Sequence, residues 1–189
     1  RRVLATALTP RHPLPGANVM DHLHFAIQMG LELTQRVVVH TINQVIEQLG
    51  VPRADIARLA VCGNPIQLSL FEGIEIRDLA YAGKTRQRQL GYVPPKREAK
   101  ILHGRDIPAL AIPPDAEVCI PPAVRHEVGA DALAMMLKAG MLDREEVSLA
   151  TDYGTNAEMA LKVGKGVFVG QIITGSAAAG PALEGQSIA

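Results

Sequence analysis

The residues best suited to chemistry lie in one string, Thr151-Asp152-Tyr153-Gly154-Thr155-Asn156-Ala157-Glu158. An acid ends an apolar run, a Gly-Thr turn follows, and a second run begins. Such a turn can aim backbone N–H groups at an anion, and the Thr155 hydroxyl adds a donor. Asp152 can orient an attacking water or hold a hydrated Mg²⁺, an ion that takes one or two carboxylates plus phosphate oxygens. An ordinary hairpin with Asp and Asn as turn formers fits the same residues. A second string runs from Gly175 through Ser176 and Gly180 to Pro181, Glu184 and Gly185, with six small residues ahead of the proline. Small residues let backbone approach a ligand closely. The string is expected to enter a helix around Ala182–Gln186 whose N-terminus can face a phosphate, with Glu184 in its first turn. Tight helix–sheet packing would select the same small residues.

Positioning these strings requires strands. Val147–Tyr153, Ala157–Val163 and Val167–Ile173 read as three strands, the last two joined by the hairpin signal Gly164-Lys165-Gly166. The hairpin returns the chain to where it left, so both strings should open on one end of a sheet. Upstream, Val3–Thr6 reads as a short strand. Apolar residues recur with helical period over 19–49, with Asn18 or Asp21 as cap, Gly30 as a bend or break, and Gly50 and Pro52 as the stop. Ile56–Cys62 reads as a strand ending at Gly63-Asn64-Pro65, with Pro65 opening a short helix through Phe71. Residues 83–106, rich in Lys and Arg and broken by Pro94-Pro95, read as an extended surface excursion. Glu117–Ile120 is a strand and Ala130–Gly140 a small-residue helix. Strands alternating with helices and then running as a hairpin give an α/β class with a mixed sheet.

Composition narrows the function classes. Acids and bases balance at 19 each, which argues against non-specific nucleic-acid binding. With no Trp, three Phe and three Tyr, base-stacking platforms are not expected either. No apolar stretch is long enough to span a membrane, and the opening residues lack a signal peptide's apolar core. The setting expected is cytoplasmic, with no nucleic acid and no membrane as partner. With no initiator Met at its start, the chain is expected to be a fragment or a processed product. Cys62 and Cys119 are expected to be buried thiols, since free cysteine is among the most buried residue types, and two cysteines cannot hold an iron–sulfur cluster in the usual four-thiolate way. His22 and His24 point to different helix faces and cannot chelate one ion, so exposed or capping roles are expected of them.

Asp-x-Gly-Thr followed by a β-hairpin resembles the second phosphate motif of the acetate and sugar kinase, heat-shock chaperone and actin superfamily. More narrowly, DYGTNAE with GSAAAGPALEG resembles the ATP-dependent reductive activators of corrinoid proteins, in a methanogen-type form. Gly63-Asn64-Pro65, Val128-Gly129-Ala130-Asp131 and Gly16-Ala17-Asn18-Val19-Met20 extend the likeness upstream with lower specificity. Tyr153 stands where the family has an aliphatic residue, Ala157 where it has Gly, and Asn18 where it has Asp.

The resemblance implies an actin-like, ribonuclease-H-like mixed sheet flanked by helices, incomplete in this chain. Residues 1–146 would be the middle part of the module. Residues 147–189 would begin its second phosphate-binding half. It implies Asp152 as catalytic and Mg²⁺-holding residue, with Gly154, Thr155, Asn156, Gly175, Ser176, Gly180 and Glu184 contacting ATP. The family's first phosphate motif and adenosine segment are not found in the sequence. The chain is therefore expected to contribute to an ATP site without completing one, and an iron–sulfur cluster would lie elsewhere in the parent protein. The partner implied is the corrinoid protein of a methyltransferase system, and a homodimer stays open. The alternative is a non-catalytic actin-like interaction module that has lost ATP turnover.

Overall fold

The computed structural model describes residues 2–81, 83–123, 129–153, 156–173 and 184–188. It divides into two compact units, residues 1–61 with 66–121 and residues 62–65 with 122–189.

In the first unit, α1 (Val19–Met29) and α2 (Leu31–Gln48) fill the expected helical stretch and part at Gly30, whose φ of 95° suits glycine. Asn18 is the cap: its Oδ1 accepts from Met20 N–H and Asp21 N–H, and the Asp21 carboxylate accepts in return from Asn18 N–H. This reciprocal box satisfies donors that a helix start leaves unpaired. Next come β1 (Arg58–Ala60), α3 (Pro65–Glu72), α4 (Arg77–Ala80), α5 (Lys84–Leu90), β2 (Lys100–His103) and β3 (Glu117–Ile120). The sheet order is β1-β3-β2, with β1 parallel and β2 antiparallel to β3. Leu23, Val39, Leu70 and Val118 are fully buried at the centre of the core, which Leu14, Ile107 and Ile120 extend.

Three expectations are corrected here. Val3–Thr6 is not a strand; Val3 and Leu4 are exposed, and a strand without a partner leaves its backbone groups to water. The 83–106 stretch is not simply an excursion. It holds α5 and the edge strand β2, and two of its basic residues are anchored. The Arg97 fork donates to both Asp78 carboxylate oxygens (2.7 and 3.0 Å), to Ser69 Oγ (2.8 Å) and to the Glu75 carbonyl (2.8 Å), while Lys100 Nζ pairs with Glu72. Third, His22 is buried rather than exposed; only His24 faces out. Nearby, the Arg77 guanidinium and the backbone N–H groups of Ile76 and Arg77 hold the Glu75 carboxyl down to about pKa 2.

The second unit is built on α6 (Ala130–Lys138) and a four-stranded antiparallel sheet, β4 (Ser148–Tyr153), β5 (Asn156–Val163), β6 (Gly166–Ile173) and β7 (Glu184–Ile188), in that order. The strands thus form two sheets rather than the single one expected. The three strands of the 147–173 stretch are neighbours, as their alternation and hairpin signal required. Ala132, Met136 and Met141 pack on Ala160 and Val169, so α6 covers one face. Lys162 is buried on that face and its Nζ donates to the Arg144 carbonyl. On the other face Leu149, Leu161 and Phe168 lie opposite one another across three strands and remain exposed. The helix expected around Ala182–Gln186 is corrected: Glu184–Ile188 is the edge strand β7. Gly185 disfavours helix, and the free edge of β6 offers this segment a ladder for its backbone groups.

The Gly63-Asn64-Pro65 turn closes against the start of α6, where Ala130 N–H donates to the Gly63 carbonyl at 3.2 Å. Cys62 is exposed at this turn, with Sγ 3.5 Å from the Ala130 carbonyl, and Cys119 is half-buried on β3. The expected burial of both thiols is thus corrected. Cys62 lies two positions past the end of β1. A Cβ on Gly129 would sit 2.7 Å from both Asn64 Cα and the Gly63 oxygen. Those are backbone atoms that cannot swing aside. Gly129→Ala is therefore expected to cost about 1–3 kcal/mol, the range for overpacking. Urea unfolding of the variant against the parent chain checks this, and an unchanged midpoint would contradict the close approach.

Candidate functional site

Strand register decides what can meet at the Asp-x-Gly-Thr turn. Tyr153 pairs with Ala157, and Asn156 pairs with Ile173. The last residue of β6 therefore lies beside the first of β5. The chain leaves the sheet after Ile173 at the end where β4 turns into β5, and it re-enters at that end as Glu184, opposite Gln171. Residues Gly154 and Thr155 and residues Gly175, Ser176 and Gly180 lie outside the described residues. The segments that contain them start and finish at one end of one sheet.

Asp152 is exposed one position before the end of β4. Strand alternation puts it on the face of Ala150 and Ala160, the face that α6 covers. Directly opposite it on β5 is Glu158, and opposite Glu158 on β6 is Gln171, which in turn faces Glu184 on β7. One cross-strand row thus carries Asp152, Glu158, Gln171 and Glu184. With strands about 4.8 Å apart, its ends are about 14 Å from each other. Asn156 sits a step nearer the turn. Of the residues singled out from sequence, the register brings Asp152, Asn156 and Glu184 to one sheet end, with Glu184 on a strand instead of a helix.

Glu158 is the residue that sequence reasoning passed over, although it closes the octapeptide. Counting by two from Ala160 would have put it on the Asp152 face. Two like charges directly opposite across antiparallel strands repel, and a cation or a bridging donor offsets that. Both are hard oxygen donors, the kind Mg²⁺ accepts. Among the described residues, no cluster of three or more His, Cys, Asp or Glu could enclose a metal by itself. The donor set fits an ion that completes its shell with phosphate and water.

Comparison with known proteins settles the family. Residues 8–144 match the family described as the RACo middle region, and residues 146–189 match the C-terminal domain of RACo, the ASKHA domain. The chain belongs to the RACo family, the reductive activators of corrinoid proteins. The actin-like fold class follows from the ASKHA match. A relative from Methanosarcina barkeri, "[Co(II) methylated amine-specific corrinoid protein] reductase", is 52% identical over 188 residues. The alignment covers all of this chain and 34% of that protein. A solved structure, "Reductive activator for corrinoid,iron-sulfur protein", superimposes with a TM-score of 0.70 at 26% identity, covering 85% of this chain and 25% of the other. The chain thus spans about a third or less of the length of the RACo proteins it matches. No helix among its described residues is long and apolar enough to cross a membrane.

Proposed function

We propose that this chain is the middle and early ASKHA portion of an ATP-dependent reductive activator, which lowers the cobalt of a partner corrinoid protein from Co(II) to Co(I). The observation that carries this reading is the 52% identity, along the whole chain, to the Methanosarcina barkeri reductase. Residues 1–146 belong to the middle part and residues 147–189 begin the second phosphate-binding half. Asp152 orients the water that attacks the terminal phosphate, its exposed carboxylate standing at the sheet end where β4 turns into β5. Glu158, in register beside it, would share with Asp152 the cation that offsets their mutual repulsion.

The backbone N–H groups around Gly154, with the Thr155 hydroxyl and Asn156, receive phosphate oxygens. The Gly175, Ser176 and Gly180 loop takes the other side of the phosphate chain, and Glu184 fixes the loop's return on β7. Asp152, with Glu158 beside it, would also hold Mg²⁺, which when bound neutralises the negative charge of the phosphate oxygens. ATP-driven closure of two lobes then couples hydrolysis to reduction, as in other hinge proteins. An iron–sulfur cluster carried elsewhere in the parent protein, in the cytoplasm, would supply the electron.

The test is spectroscopic. The whole protein is mixed with a methylated-amine-specific corrinoid protein in the Co(II) state and a low-potential reductant, with and without Mg-ATP. Growth of the Co(I) absorption is expected only with ATP. Reduction at the same rate without ATP would instead support a non-catalytic actin-like module.

A further inference from the structure

A histidine pair, His12 in the loop before α1 and His22 on α1, is not used by the proposed function. The His12 ring lies flat on the His22 ring, with centroids 3.8 Å apart and planes within 9°. His12 is exposed and His22 is buried. One amide from α3 ties them: Gln67 Oε1 is 3.2 Å from His12 Nε2, and Gln67 Nε2 is 2.9 Å from His22 Nδ1. Leu14 N–H donates to His12 Nδ1 at 3.1 Å, and the Leu14 side chain is anchored in the core. These bonds fix the proton positions. His12 Nδ1 and His22 Nδ1 are acceptors, so each neutral ring carries its proton on Nε2. The His22 Nε2–H is buried with no partner among the described residues.

We propose that this stacked pair is an acid-triggered latch, which holds residues 10–16 on the first unit while both rings are neutral and releases them when a proton is taken up. A proton on His22 Nδ1 turns the acceptor of the Gln67 amide into a second donor facing it. A proton on His12 Nδ1 does the same to the Leu14 N–H. Either one also sets a cation against a ring held by stacking, and the His22 cation would be formed in a buried site that already holds one unpaired donor.

The charges that act on His22 come from His12 on the loop and Asp21 on α1, and α3 brings the neutral Gln67. Burial and His12 lower the His22 pKa below its usual 6.5, and Asp21 opposes them more weakly. The sign follows by linkage. Above pH 6.5 the ring is neutral folded or unfolded, and the latch is at full strength. Below 6.5 the released ring takes its proton first, so holding weakens as pH falls through the lowered value.

Two readings of the 189-residue chain test this. Histidine ring NMR should show His22 titrating below 6.5. Amide exchange at Leu14, corrected for the intrinsic pH effect, should lose about tenfold of its protection between pH 7.5 and 5. In His12→Phe, which keeps a stacked ring without its charge, the His22 midpoint should move up. A His22 midpoint at or above 6.5 in the parent chain, Leu14 protection equal at both pH values, or an unmoved midpoint in His12→Phe would each overturn the latch.

Discussion

Replacing Arg97 with alanine is expected to cost the first unit about 3–5 kcal/mol, the range for breaking a buried ion pair from one side. The Asp78 side chain is 1% exposed and that of Arg97 is 12% exposed. Removing the guanidinium leaves the buried Asp78 carboxylate without its counter-charge and takes one donor each from the Ser69 hydroxyl and the Glu75 carbonyl. A loss of this size is a large fraction of a domain's net stability. Arg97→Lys should recover little, because a single ammonium cannot reproduce a fork that bonds both carboxylate oxygens and two further acceptors. The double change Arg97→Met with Asp78→Leu should recover most of the loss, since no buried charge is then left alone. Urea midpoints of the three variants measure these differences. A single-variant loss below about 1 kcal/mol, as for exposed pairs, would show that Asp78 is hydrated.

That network also marks where sequence reasoning stopped. Arg97 sits in a run of Lys and Arg interrupted by prolines, and nothing local tells a solvated cation from an anchored one. Its partners are 19, 22 and 28 residues away. β2 was hidden in the same way. Its apolar pair Ile101 and Leu102 is short, and it becomes a strand only because β3 offers a ladder from across the sheet. β7 likewise depends on the free edge of β6, and small residues that suit a phosphate-facing helix gave no sign of that edge. What was legible rested on local rules: a helix cap at Asn18 or Asp21, the Gly30 break, the Pro65 start, and the β5–β6 hairpin at Gly164. From that hairpin the shared sheet end of the two strings followed by strand counting alone. Glu158 needed one further step, the alternation of faces, to appear beside Asp152.

If the Asp152 carboxylate acts on ATP, Asp152→Ala in the whole protein, with Asp152→Asn beside it, must slow turnover. Asp152 is exposed on a strand end, so its removal should leave stability within about 0.5 kcal/mol, as for most surface changes. Loss of a positioned group that handles a proton or water in the transition state costs about 10²–10⁴-fold in rate. The measurement is phosphate release from Mg-ATP by the whole protein with its corrinoid partner, alongside urea unfolding of each variant. The account predicts that both variants lose at least two orders of magnitude in turnover, about 2.7 kcal/mol, with unfolding midpoints unchanged. Turnover within a few-fold of the parent in a folded Asp152→Ala protein would contradict it, and would remove Asp152 from the mechanism.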